Sequence, residues 1–167
     1  MTIQDIYDRL VEQFGEDMLE ISDEEFARYI IVRAGGWFGI AQYLAEDPKL
    51  QFDSLMCLTG VDYGPKEDRM EVVYDLHSMT HKHKLSIKIQ GPREEFHVPS
   101  VESVWRTADW HEREAYDMFG IIFDGHRNLK RLLLPQDWEG HPLKKDYEVQ
   151  EYYHGIRVPK VLPKRIS

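Results

Sequence analysis

Residues 70–89 read MEVVYDLHSMTHKHKLSIKI, and they decide the fold class. Leu85, Ile87 and Ile89 alternate with Ser86, Lys88 and Gln90. A period of two means a strand with one buried face and one wet face. Met70–Leu76 reads as a second strand, and the polar stretch between them as a turn. His81 and His83 fall in that turn, where they could share a face and touch a metal. A solvated hairpin tip is the plainer reading and is the one adopted.

Outward from this hairpin, the apolar run Leu55–Val61 ends at Asp62-Tyr63-Gly64-Pro65, which is turn chemistry. That makes a third strand. Further upstream, Trp37–Leu44 reads as a helix closed by Asp47-Pro48. The GGWFG that opens it lacks the spacing of a phosphate loop. Met18–Ile21 and the β-branched Tyr29–Val32 read as short strands. Ile3, Ile6, Tyr7, Leu10, Val11 and Phe14 fall at helical spacing, with Thr2 placed to cap and Gly15 to terminate. Downstream, Pro99-Ser100 opens a short helix through Trp105, and Asp109 opens another that Gly120 stops. Asp109 and Glu112 have capping-box spacing, Arg113 and Asp117 are four apart and can pair, and Ala115, Met118 and Phe119 form an apolar stripe. Ile121–Phe123 follows as a short strand. The expected fold is α+β and two-layered, a mixed sheet with helices on one face, in the order α-β-β-α-β-β-β. Residues 1–135 form the domain. Residues 136–167, with Pro142, Pro159 and Pro163, are expected as an extended arm that orders on a partner.

Composition narrows the function. The 167 residues suit one domain, and no stretch approaches the ~18 apolar residues of a membrane span. The first residues lack an apolar signal core, so export is not expected. The single cysteine excludes an internal disulfide and cannot hold an iron–sulfur cluster. Cys57 sits in an apolar strand and is expected as a buried, inert thiol. Residues 1–125 hold 12 Lys or Arg against 25 Asp or Glu, whereas residues 126–167 hold 9 against 5. An acidic body repels nucleic acid. The basic tail could reach an acidic protein surface, and a simply solvated body is an equal alternative.

Serine-hydrolase, nucleotide-loop and HExxH motifs are missing. His111 with Glu114, or Glu112 with His126 and His141, could be drawn as metal sites. No ligand spacing is diagnostic, and ion-pair or hydrogen-bond roles are the adopted reading. Glu112, Arg113, Glu114 and Asp117 could tune one another's proton affinity, although a structural ion-pair network is the simpler account.

The densest stretch is residues 109–147, DWHEREAYDMFGIIFDGHRNLKRLLLPQDWEGHPLKKDY. It mixes both charges with aromatics, which suits a docking surface, since charges are rarely buried unpaired and aromatics dominate interface energy. Glu112-Arg113-Glu114-Ala115-Tyr116-Asp117-Met118-Phe119-Gly120, then His126, then Lys130-Arg131-Leu132-Leu133, resembles the 30-kDa subunit family of respiratory complex I, which includes the corresponding subunit of bacterial NADH:quinone oxidoreductase. The stretch Asp137-Trp138-Glu139-Gly140-His141-Pro142-Leu143-Lys144-Lys145-Asp146-Tyr147 extends the likeness, as do Phe52, Val61-Asp62-Tyr63 and Pro99-Ser100-Val101. It covers roughly residues 1–150. Arg127 and Glu148 depart from it, each standing where the family often has proline.

The resemblance implies a peripheral-arm subunit that binds no cofactor, with FMN and iron–sulfur clusters in partner subunits. It implies docking on the large quinone-site subunit and the cluster-bearing subunits, at the cytoplasmic side of the membrane and without insertion. Related subunits occur in membrane-bound hydrogenases and ferredoxin- or F420-linked complexes. The motif residues taken as the candidate interface are Glu112, Arg113, Glu114, Tyr116, Asp117, Gly120, His126, Lys130, Arg131, Trp138, Pro142, Lys144, Lys145, Asp146 and Tyr147. No catalytic, cofactor or metal residue is assigned.

Overall fold

The computed structural model describes residues 1–22 and 28–158. Helix α1 spans Ile3–Phe14, and its first turn is closed by a capping box between Thr2 and Asp5. Ile6 and Leu10 carry its buried stripe. Strands β1 (Leu19–Ile21) and β2 (Ile30–Val32) pair antiparallel. A single tight turn at Ala34–Gly36 leads into helix α2, Trp37–Glu46, which buries Trp37, Ile40, Ala41 and Leu44. Strands β3 (Ser54–Asp62), β4 (Arg69–His77) and β5 (Lys84–Pro92) form an antiparallel meander.

The sheet order is β1-β2-β5-β4-β3, and β2 runs parallel to β5. It is therefore mixed, as the sequence implies. Leu85, Ile87 and Ile89 are buried in register with Leu76, Tyr74 and Val72. The helical side of the sheet holds one continuous core, with Trp37 tilted against Tyr74 at 4.5 Å between ring centroids.

One strand in this region is not foreseen by the sequence. β6 (His97–Pro99) pairs in parallel with β7 (Ile122–Asp124), and helix α3 (Ala108–Phe119) connects them. A three-residue strand such as β6 shows too few alternations to be seen in sequence. The helix expected from Ser100 to Trp105 is a pair of turns instead, with the N–H groups of Val104 and Trp105 both donating to Val101 O. Pro99 belongs to β6, so the chain is extended where the helix was expected to open. A hairpin, β8 (Tyr152–Tyr153) with β9 (Ile156–Arg157), lies within the segment expected to be extended. It turns through His154 and Gly155, both at positive φ.

Cys57 differs from expectation in being half-buried rather than buried. A bulge between Leu55 and Cys57 shifts the register of β3, which turns the thiol away from the core. Partial burial, with Asp75 and Glu114 nearby, still pushes the thiol's pKa up, so it is a poor nucleophile.

Candidate functional site

Helix α3 lies across β3 at Gly60. A Cβ there would meet Phe119 Cδ2 at 2.6 Å and Ile121 Cδ1 at 3.0 Å. That close approach brings the inner side of α3 against the loops on either side of it, and three buried carboxylates organise the result.

Glu112 is fully buried. Its carboxylate accepts from Ser100 Oγ at 2.6 Å and from Val101 N at 2.8 Å, tying the helix to the turn after β6. The capping box expected with Asp109 does not form. Thr107 is the N-cap but makes no side-chain capping bond, its hydroxyl donating instead to Leu55 O at 3.4 Å, while Glu112 points into the interior. Burial pushes the Glu112 carboxyl up to about 7, opposed by the bonds from Ser100 and Val101 and reinforced by Glu102 and Asp109.

His126 packs beside it with no exposed side-chain surface. Its Nδ1 accepts the N–H of Asn128 at 3.0 Å. A neutral ring must then carry its proton on Nε2, which faces only oxygens. These are Asp109 O at 3.2 Å, Asp109 Oδ1 at 3.4 Å, Glu102 Oε2 at 3.5 Å and Glu112 Oε2 at 3.9 Å. Glu102, Asp109 and His126 are close enough together to surround an ion. However, metal ligation needs the Nε2 lone pair that this tautomer lacks. The Arg127 guanidinium already sits on both outer carboxylates, at 3.3 Å from Glu102 and 3.0 Å from Asp109. The Nε2 proton is donated to the Asp109 carbonyl, which fixes the ring between α3 and the loop after β7. His141 lies in a different cluster, so the drawn Glu112–His126–His141 set is not assembled.

Asp117, the second buried carboxylate, does not pair with Arg113. Its Oδ2 accepts the consecutive N–H groups of Leu132, Leu133 and Leu134 at 2.8–3.0 Å, and its Oδ1 accepts from Arg131 Nη1 at 2.7 Å. Arg131 also donates to Trp138 O and Gly140 O. Burial raises the Asp117 carboxyl, but these donors outweigh it and hold the group below its ordinary value. Arg113 instead donates to the carbonyls of Lys130 and Arg131, at 3.2 and 3.4 Å. The charged residues of α3 therefore do not form one network: Arg113 and Asp117 both brace the 130–134 loop without pairing with each other, Glu112 braces the turn after β6, and Glu114 stays exposed. Gly120 ends α3 at φ +79°, and a Cβ there would meet the His141 ring at 2.8 Å. His141 donates from Nδ1 to Asp117 O at 2.9 Å and meets Tyr116 edge-on.

The third carboxylate is Asp62, at the end of β3. It accepts from Arg93, from Gly64 N at 2.9 Å and from Lys145 N at 2.7 Å. Burial raises it, but Arg93 and the two N–H groups bring it down to about 2. Arg93 also grips Asp146. With Leu143 N donating to Met118 O and Trp138 Nε1 to Tyr147 Oη, residues 131–147 lie against the body. Sequence reasoning misses Ser100, Arg93 and Asp62 as partners of this region, because their separations of up to 83 residues carry no local signal. Pro142 is half-buried, while Lys130 and Lys145 are exposed and Lys144 is half-exposed.

The sequence profile described as "Respiratory-chain NADH dehydrogenase, 30 Kd subunit" matches residues 30–153. The chain is 47% identical to the C subunit of NADH-quinone oxidoreductase from Chloroherpeton thalassium over 92% of its length, spanning 64% of that protein. It is 46% identical to the equivalent protein of Chlorobium phaeobacteroides, covering 92% of this chain and 93% of that one. Among solved structures, a trypsin-resistant fragment of Nqo5 superposes with a TM-score of 0.59 at 26% identity, covering 73% of this chain and 98% of the fragment. A chain of the archaeal membrane-bound sulfane sulfur reductase shares the fold at a TM-score of 0.71 and 24% identity, covering 87% of this chain and 85% of that one. On this sequence match, the chain belongs to the family of the 30-kDa subunit of respiratory-chain NADH dehydrogenase.

Proposed function

We propose that this chain is a cofactor-free structural subunit of the peripheral arm of a proton-translocating NADH:quinone oxidoreductase. It holds the quinone-site subunit and the cluster-bearing subunits at fixed separation. The observation that carries this reading is the 46% identity to a family member of nearly equal length. The residues support it. A lone half-buried thiol cannot ligate a cluster. Buried Asp62 and Asp117 each accept four hydrogen bonds from the chain's own donors, which stiffens a surface for docking. FMN and the clusters belong to partner subunits, and the chain sits at the cytoplasmic side of the membrane through those partners. Among the described residues no helix is long and apolar enough to cross a membrane.

In this reading Lys130, Trp138, Pro142, Lys144, Lys145 and Tyr147 face or support the partner contact, and the segment from 136 onward carries the interface. The fold shared with a membrane-bound sulfane sulfur reductase keeps a sister complex with another electron donor as the second reading. The test is affinity isolation of the tagged chain from its own cells in mild detergent. Cluster-bearing subunits with NADH:quinone activity are the expected result. The same subunits with hydrogen, ferredoxin or F420 activity would move the chain to a sister complex. Recovery of the chain alone would overturn the assembly role.

A further inference from the structure

We propose that Trp110, Arg113, Lys130 and Leu133 form a docking face for an acidic, apolar-pocketed surface of a partner protein. This rests on the assembly reading above and adds to it which face is used and what it meets. Trp110 and Leu133 are each 62% exposed, among the most exposed large apolar side chains of the described residues. The Arg113 guanidinium carbon lies 5.9 Å from the Trp110 ring centroid. The same guanidinium donates to the carbonyls of Lys130 and Arg131, which draws the 130–133 loop alongside the indole.

Charge identifies the occupant. The chain carries 30 acidic against 21 basic side chains, so a cation has carboxylates to choose from. Among the described arginines, Arg9, Arg69, Arg93, Arg127 and Arg131 take one, whereas Arg28, Arg33, Arg106 and Arg157, like Arg113, pair with none. Among the described residues, no carboxylate pairs with Arg113 or Lys130. Arg113 is held by two neutral carbonyls, and Lys130 is exposed. The nearest acidic residues do not cancel them. Glu102 and Asp109 are already occupied by Arg127. Glu114 borders the patch on the β3 side, close enough to Cys57 to raise its pKa. Two unmatched cations beside an exposed tryptophan fit a pocket that takes the indole and is rimmed by Asp or Glu. Trp and Arg are the residue types that most often dominate an interface. The loop is also rigid before any partner arrives, because Asp117 accepts three of its N–H groups, so little ordering entropy is lost on docking.

The experiment places a photo-crosslinking benzophenone side chain at position 110 of the tagged full-length chain, in the complex purified from its own cells. The linked peptide is then read by mass spectrometry. The expected result is one link site on a partner subunit, in a segment carrying several Asp or Glu. In parallel, Trp110→Ala and Lys130→Glu are expected to weaken retention of the chain in the complex about 30-fold in affinity. Both positions are exposed, and circular dichroism of each variant checks the fold. A link to lipid, to a second copy of the chain, or to a partner segment without acidic residues overturns the inference. So does an unlinked position 110 in an intact complex, which leaves the assembly reading standing. Absence of the chain from the complex overturns both.

Discussion

Glu112 is a carboxyl with no solvent contact, raised by burial to about 7, and that makes stability depend on pH near neutrality. The folded state holds this proton more tightly than the unfolded state, whose ordinary value is 4.5. The stabilisation is complete below about 4.5 and is lost as the pH rises through 7. A shift of this size corresponds to roughly 3 kcal/mol. Glu112→Gln keeps a carbonyl oxygen for Val101 N and turns its NH2 toward the Ser100 hydroxyl, which can accept, but it cannot ionise. Thermal unfolding from pH 5 to 8 should therefore show the wild type losing stability relative to the variant, and parallel curves would refute the assignment. Asp62 works in the opposite sense. Held near 2, it contributes stability above about 4 that disappears only as the pH falls through 2. The two arginines of the motif separate in the same way. Removing Arg131 leaves buried Asp117 without its cation and should cost about 3–5 kcal/mol. Arg113 bonds only to carbonyls, and its removal should cost about 1 kcal/mol. Urea unfolding of the two Ala variants gives the ranking, and the reverse order would mean that Asp117 does not depend on Arg131.

Among the elements, the contact of α3 with β3 sets the position of everything behind the 109–147 run. It depends on Gly60, where no side chain fits beneath Phe119. Gly60→Ala should lift the helix and destabilise the chain by about 1–3 kcal/mol, read as a lower urea midpoint with an unchanged slope. An unchanged midpoint would show that Phe119 swings aside freely. At α1 the Thr2–Asp5 capping box closes a helix start that the apolar spacing and Thr2 make legible. The capping-box spacing at Asp109 and Glu112 misleads, because an inward-facing Glu finds stronger donors than the helix end can offer. The three-residue strands β6 and β7 are only half legible. β7 shows in its apolar run, whereas β6 is defined by a partner more than twenty residues away.

For the whole molecule, the question is where the body ends. Residues 138–147 are fastened to it through Arg93–Asp146, Lys145 N to Asp62 and Leu143 N to Met118 O. The hairpin beyond reaches back mainly through Tyr153 Oη to Asp137 and Trp138 against Tyr153. A chain ending at Tyr147 should therefore melt close to the full chain. One ending at Pro135 should melt well below it, since Asp62 and Arg93 each lose a partner. Circular dichroism melts distinguish these, and equal losses would place the stabilising contacts in the hairpin instead.

Periodicity determined the three helices, the meander and the mixed two-layer class, because burying one face of an element leaves a repeat that is visible along the chain. The motif from Glu112 to Tyr147 determined the family in the same direct way, through residue identity. Only the tertiary structure decided which charge meets which. Asp117 turned from Arg113, four residues away, to Arg131 and three backbone N–H groups. Glu112 turned from a helix cap to Ser100, and Asp62 reached Lys145 across half of the chain. A buried carboxylate is satisfied by whichever donors the packed fold presents to it, and sequence spacing registers only those on its own element.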